Sequence, residues 1–223
     1  MGRKSGSRRR VDARTGHEVT ADQGWDQRYR GEDYLFGTEP AAFLVREAGR
    51  FEAGQRVLCV ADGEGRNSAW LASRGLVVDA FDPSPVAVGK AERLARERGV
   101  DVGFAVAGVD DYAWPLASVD GVVAVFVQFA PPEQRRVMFR RMRDALVPGG
   151  TLLLHGYRVE QLEYGTGGPP IASHLYTEGQ LRAELDGLEI ESVREYDAVV
   201  REGTGHVGMS ALIDVVATRT VGP

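Results

Sequence analysis

The sequence predicts an α/β protein with a doubly wound, mostly parallel sheet that finishes in an antiparallel hairpin. Three observations predict it. From Arg56 onward, short β-branched runs alternate with helical stretches, the pattern of βαβ units. Two long strand-like runs near the C-terminus are joined only by the glycine-bearing link Arg201–His206, which suits a hairpin. A length of 223 residues at 43% hydrophobic content makes one domain of ordinary size and leaves no room for a second catalytic domain.

In chain order, residues 1–20 hold Arg3, Lys4, Arg8, Arg9, Arg10 and Arg14 among small polar residues with no apolar periodicity. They read as a disordered basic tail, with one domain over 21–223. Within the N-terminal stretch 21–50, Trp25 and Tyr29 stand one helical turn apart, as hydrophobic anchors or a lid. Strands are expected at Arg56–Ala61, Leu76–Asp82, Val102–Val106, Val119–Val127 and Thr151–Gly156. Helices fill the gaps at Asn67–Arg74, Pro85–Arg98 and Pro132–Leu146. The second carries Ala87, Ala91, Leu94 and Ala95 on one face, and the third stops at Pro148-Gly149-Gly150. After a Gly/Pro loop at Gly165–Pro170, Thr177 is placed to cap a helix, and the runs Leu188–Val200 and Val207–Arg219 make the hairpin.

Composition excludes several function classes. The net charge is −5, and removing the first ten residues leaves −10 on the rest, so the body is not built to blanket nucleic acid or an anionic membrane. The longest apolar run, Val122–Val127, has six residues where a bilayer span needs about 20. No apolar signal core stands at the N-terminus, and the expectation is a soluble cytoplasmic protein. The single cysteine, Cys59, rules out an intramolecular disulfide and multi-cysteine metal sites, and no metal is expected. Lysine occurs only at Lys4 and Lys90, so active-site lysine chemistry has almost no candidates.

The segment Val57–Ser68 is a buried strand running through Asp62-Gly63-Glu64-Gly65 into a helix. Glycines there admit a ligand to the backbone, and a helix N-terminus offers unpaired N–H groups. Asp82 ends the next strand, where a carboxylate can accept hydrogen bonds from both hydroxyls of a ribose. Together they point to an adenosine-containing ligand. Ser68 holds the third-glycine position of a dinucleotide fingerprint, and neither a Tyr-x-x-x-Lys pair nor a Gly-Lys-Ser/Thr loop occurs. An acidic turn, with Asp62 and Glu64 flanking Gly63, repels phosphate and suits a ligand carrying an ammonium and a sulfonium, as S-adenosylmethionine does.

On these residues the chain resembles a class I S-adenosylmethionine-dependent methyltransferase, and within that class the tellurite-resistance and thiopurine-methyltransferase-like branch. The matching segments are Trp25-Asp26-Gln27-Arg28-Tyr29 with Phe36-Gly37-Thr38-Glu39-Pro40; Gly63-Glu64-Gly65-Arg66-Asn67; Asp82-Pro83-Ser84; Pro148-Gly149-Gly150; and Tyr164–Pro170 before Leu175-Tyr176-Thr177. The resemblance implies a Rossmann-like sheet of seven strands with the last antiparallel. It implies a cofactor site made of Trp25, Tyr29, Asp62, Gly63, Gly65, Asn67, Asp82, Pro83, Ser84, Gly108, Val109 and Phe126. In it Asp62, Gly63 and Gly65 line the methionine end, Asp82 holds the ribose, and Pro83 and Ser84 lie beside the adenosine.

The sequence departs from that pattern at Gly108, where many relatives have an aspartate for the adenine amino group; Asp110, a water or the Val109 backbone then takes its place. It departs again at Gln128, where the branch commonly shows a histidine, leaving no strong general base in view. Cys59, at a position where many relatives carry an acid, reads as buried filler. Gln128, His155, Tyr157 and Tyr164 are the substrate-side candidates; His174, Tyr176 and His206 read as loop or packing residues. The expected reaction is methyl transfer to a small molecule with a soft nucleophile (thiol, selenium or tellurium species, or amine), the Trp25–Pro40 segment and the Gly165–Pro170 loop closing over it. The competing readings are an adenosine-ligand sensor without turnover and a nucleic-acid methyltransferase. The second lacks an Asn/Asp-Pro-Pro-aromatic motif after the fourth strand. Oligomeric state is not readable from the chain.

Overall fold

The computed structural model describes residues 10–11, 18–19 and 21–221. The expected basic tail lies outside the described residues except for Arg10–Val11 and Glu18–Val19, which pair antiparallel. Seven strands form one sheet: β1 Arg56–Val60, β2 Val77–Asp82, β3 Val102–Val106, β4 Val119–Val125, β5 Leu146–Tyr157, β6 Leu188–Glu202 and β7 His206–Arg219. Their spatial order is β3-β2-β1-β4-β5-β7-β6. β1 to β5 run parallel, with Leu58 opposite Asp79 on one side and Val122 on the other. β7 then inserts antiparallel between β5 and β6, pairing His155 with Asp214 and Glu202 with His206. The strand order reverses between β1 and β4, and the carboxyl ends there are where such sheets bind ligands.

Seven α-helices are described: α1 Ala21–Tyr29, α2 Ala42–Glu47, α3 Arg66–Ser73, α4 Pro85–Arg98, α5 Pro132–Ala145, α6 Gln161–Tyr164 and α7 Glu178–Glu184. α4 has a strong local signal at each end. Ser84 Oγ accepts from the Ala87 amide at 3.1 Å, Pro85 opens the helix, and Gly99 closes it in the left-handed region. α7 begins at Thr177, whose hydroxyl accepts from the Gln180 amide at 3.3 Å. Alternation along the strands splits the core between the two faces. Leu58, Val60, Leu152 and Leu154 pack with Met138 and Phe139 of α5, while Val57, Cys59 and Leu153 pack with Phe43, Leu44 and Leu71.

The expected helix boundaries differ from those observed by one residue at the ends of α3 and α5. β5 starts five residues earlier than expected because the chain enters it directly from α5, taking in Pro148-Gly149-Gly150 before the pairing slips between Val119 and Gly121.

Candidate functional site

β1 delivers Ala61-Asp62-Gly63-Glu64-Gly65 into α3, and this turn is built from left-handed backbone at Ala61 (φ +47°), Gly63 (+62°) and Gly65 (+85°). A side chain at Gly65 would stand 2.6 Å from the Ala91 Cβ, so α3 and α4 touch here almost backbone to backbone. Asp82, at the end of β2, accepts the Gly63 amide on one carboxylate oxygen and the Ser84 amide on the other, both at 2.9 Å. One buried acid thereby organises the loops that end β1 and β2. Asp62 is half-buried and accepts from the Ser68 hydroxyl. Burial, together with the neighbouring Asp82 charge, pushes its carboxyl up to about 7 against the pull of Ser68. Asp62 forms no ion pair among the described residues, so the turn presents a half-buried acid that a bound cation would stabilise.

Glu64 does not share that role. Its carboxylate pairs with Lys90 Nζ at 2.7 Å, both groups buried, and its second oxygen accepts the Phe36 amide at 3.4 Å. Lys90 also donates to the Asp33 carbonyl at 2.7 Å. The acidity expected of the turn is therefore carried by Asp62 and Asp82, while Glu64 and Lys90 hold the N-terminal segment.

That segment covers the turn. Tyr29 is 4% exposed, and its hydroxyl stands 3.1 Å from where a Gly63 Cβ would be. Burial first, then the charges of Asp82 and Glu64, hold its phenol above the ordinary range. Trp25 stacks on Tyr29 at 5.6 Å, Arg28 lies over Trp25 at 4.3 Å, and Ser84 donates to Asp26 at 2.5 Å. Asn67 accepts the Ala41 amide at 3.0 Å, which makes it a tether for the segment. Further along, the Leu35 carbonyl accepts the amides of Thr204 and Gly205 at 2.9 and 2.8 Å, and Arg66 pairs with Glu202 at 2.7 Å. The covering segment is thus tied to the β6–β7 turn.

Between residues 36–46 and β6 lies a cleft of about 470 Å³, lined among others by Phe36, Phe43, Arg46, His155 and Tyr196. Beside it Phe126, the residue after β4, takes the left-handed region at φ +56°, a strain of roughly 1–2 kcal/mol for a non-glycine residue. Its ring lies 4.6 Å from His155, 4.6 Å from Tyr157 and 4.5 Å from His206. Two histidine–carboxylate pairs flank it. His155 Nδ1 is 2.6 Å from Asp214 Oδ1, and Asp214 also accepts from Arg46 at 2.5 Å and from the Tyr196 hydroxyl at 3.3 Å. His206 Nδ1 is 3.2 Å from Glu202. Burial holds His206 below the usual imidazole range despite Glu202. Burial alone would raise the Glu202 carboxyl, but His206 and Arg66 bring it down to about 2.

His206, expected in a solvated loop, is thus a buried member of this cluster. Asp214, Glu202 and Arg46 were not among the expected site residues. A carboxylate inside the apolar run Ala211–Ala217 was the available signal, since buried acids demand a partner.

Other candidates sit elsewhere. Gln128 is buried with both halves of its amide on the Tyr157 main chain, donating to the carbonyl at 2.8 Å and accepting the amide at 2.6 Å. It clamps the end of β5. Tyr164 is 39% exposed and donates to Asp197 at 2.9 Å. The Gly165–Pro170 loop, expected to move, is packed down: side chains at Gly167 and Gly168 would meet Tyr157 at 3.0 and 2.8 Å, and Thr166 donates to the Met209 carbonyl at 2.5 Å. Pro83 is half-buried beside Ser84, and Cys59 is core filler. Near Gly108, Asp110 is drawn toward α5 by Arg141 at 3.1 Å and Gln134 at 2.7 Å, while the Val109 carbonyl accepts from Trp114 at 2.9 Å. Tyr176 is buried in the core, and His174 offers its carbonyl to Gln128 at 3.5 Å. A second cleft, about 550 Å³, lies among Val77, Asp79, Gly99 and Gly103, at the opposite end of the sheet from the glycine turn.

Residues 57–150 match the family model described as "Methyltransferase domain". The match covers 94 of the 223 residues. Among solved structures, one obtained for the conversion of a disulfide bond into a thioacetal group during echinomycin biosynthesis is similar with a TM-score of 0.74 and 20% identity, over 90% of this chain and 92% of that one. An S-adenosylmethionine-dependent methyltransferase from Methanosarcina mazei matches with a TM-score of 0.67 and 19% identity, covering 82% and 100%. TehB from Haemophilus influenzae matches at 0.63 and 16%, covering 79% of this chain and 61% of that one. At these identities the likeness is one of fold. Among the described residues no helix is long and apolar enough to cross a membrane, and no group of three metal-ligating side chains occurs.

Proposed function

We propose that this chain methylates a small molecule with a soft nucleophile, held in the cleft beside Phe126. The observation that carries the reading is the pair of acids at the glycine turn, Asp82 buried and Asp62 half-buried, together with an aromatic cleft that Arg66, the first residue of α3, also lines. They fit S-adenosylmethionine: Asp62, half-buried and without an ion pair among the described residues, suits the ammonium, Asp82 the ribose hydroxyls, and Gly63 and Gly65 admit the ligand to the backbone. Pro83, Ser84, Gly108 and Val109 would border the adenosine, Phe126 would stand at the methyl-bearing end, and Trp25 and Tyr29 would cover it. When bound, the donor supplies an electrophilic methyl group on a sulfonium. The protein's part is to orient the acceptor, exclude water behind the tied-down segment and supply fixed charges.

The cleft's volume suits a compact acceptor rather than a polymer. A sulfur, selenium or tellurium nucleophile is in keeping with the similar fold that serves a conversion at a disulfide and with the likeness to TehB.

Isothermal calorimetry tests the reading. S-adenosylmethionine and S-adenosylhomocysteine should bind more tightly than NAD, and Asp82→Ala should weaken them by on the order of 2 kcal/mol, about thirtyfold. Equal or tighter NAD binding overturns the assignment.

A further inference from the structure

We infer that His155 is the general base of the reaction and that the acceptor therefore enters the cleft as a protonated nucleophile, a hydroxyl or a thiol. This rests on the cofactor reading above; of the soft acceptors named there it keeps the thiol, and it adds the hydroxyl. Three features support it. His155 is 4% exposed yet is one of the residues that line the cleft. Its Nδ1 is committed to Asp214 at 2.6 Å, and a carboxylate can only accept; in the neutral ring the proton is on Nδ1 and the lone pair on Nε2. The ring is also fixed, stacked 5.3 Å from Phe43 and set edge to face 4.6 Å from Phe126, the strained residue at the end of β4. A base at the join of β4 and β5 removes the objection that a hydroxyl acceptor has nothing to deprotonate it.

The groups facing this pair come from three elements. Asp214 stands on β7, Tyr196 on β6 donates to Asp214 at 3.3 Å, and Arg46 on α2 pairs with Asp214 at 2.5 Å and with Glu47 at 3.4 Å. Arg46 and Tyr196 keep Asp214 an acceptor and keep its orientation, which makes Asp214 a positioning residue. The second pair, His206 with Glu202, is the weaker candidate. Its contact is longer at 3.2 Å, its carboxylate is shared with Arg66 at 2.7 Å, and its ring is closed in by Phe36, Phe126 and Tyr157.

In the step, Nε2 takes the acceptor's proton while the acceptor's lone pair forms the bond to the methyl carbon. The carbon–sulfur bond breaks with its electron pair staying on sulfur, which becomes neutral. The imidazolium is stabilised by Asp214 and returns its proton to water after product leaves.

The test uses phenol and benzenethiol as probe acceptors, with labelled S-adenosylmethionine, over pH 6–9. Wild-type protein should methylate phenol, and His155→Gln should lose about a hundredfold. Benzenethiol ionises unaided, so its rate at pH 9 should fall less than about tenfold in the variant. Asp214→Asn, which can donate to Nδ1, should reproduce the phenol loss. Nitrogen NMR of the wild-type ring should show the Nδ1–H form in the S-adenosylhomocysteine complex, a readout that needs neither turnover nor a stable variant. An Nε2–H ring, equal losses on both acceptors, or no methylation of either probe while S-adenosylhomocysteine binds overturns the base. Failure to bind S-adenosylhomocysteine overturns the underlying cofactor reading instead.

Discussion

At the scale of single residues, Asp62 has a measurable consequence. Its carboxyl in the folded chain is pushed up to about 7, far above an ordinary aspartate, because burial and Asp82 both oppose its charge. A folded-state value raised above the unfolded one makes the proton-bound form the stable one, so this group subtracts stability as pH climbs from about 4 toward 7. A bound ammonium would draw the group back to its ionised form. Affinity for S-adenosylhomocysteine should therefore be flat above pH 7 and weaken below it, by up to about tenfold per unit. Calorimetry between pH 5.5 and 8.5 checks this; Asp62→Asn should remove the slope and weaken binding at pH 8. The importance of Asp82 and Gly65 was legible in the sequence, because a strand-end acid and a turn glycine act through their own local geometry. The pairing of Glu64 with Lys90, and of Asp214 with His155, was not. Each joins residues far apart in the chain, and only the packed sheet decides which acid meets which base.

Among elements, the α3–α4 contact is the most demanding. Gly65 combines a left-handed φ of +85° with a neighbour Cβ 2.6 Å from where its own would be. Gly65→Ala meets strain and overlap together and should cost about 2–4 kcal/mol, lowering the urea midpoint with little change in slope. A loss below 1 kcal/mol would show that the two helices can part freely. The elements themselves were largely readable. α4 was delimited to the residue because a serine cap, a proline at the first helical position and a closing glycine agree with its apolar face. The glycines of the Gly165–Pro170 loop, expected to permit motion within the limit set by its two prolines, serve close approach to the Tyr157 ring, and close approach and freedom look alike in sequence. The N-terminal helix α2 had no capping residue to announce it, its N-cap position being Ala41.

For the molecule as a whole, the Arg66–Glu202 pair joins the glycine turn to the far end of the hairpin. Glu202 is held at about 2, so its ionised form stabilises the fold at and above its ordinary range and that contribution is lost as pH falls toward 2. Glu202→Gln should cost about 2–3 kcal/mol of unfolding free energy at pH 7, shrinking toward nothing near pH 2, measured by denaturant titration at each pH. A pH-independent loss would assign the effect to packing instead. The parallel sheet and its hairpin were both foreseen, since period-two runs and a glycine link carry that information locally. That the hairpin turn would latch onto Leu35 was not, because no local pattern records it.

That latch also sets an order of events. Arg46 and Asp214 are 168 residues apart in the chain, and Leu35 waits for Thr204 and Gly205. On the ribosome β1 to β5 emerge before either partner exists, so the glycine turn can form early while its cover has nothing to fasten to. The nascent chain carries an open cradle until the β6–β7 turn and Asp214 are made, and closure of the site follows them.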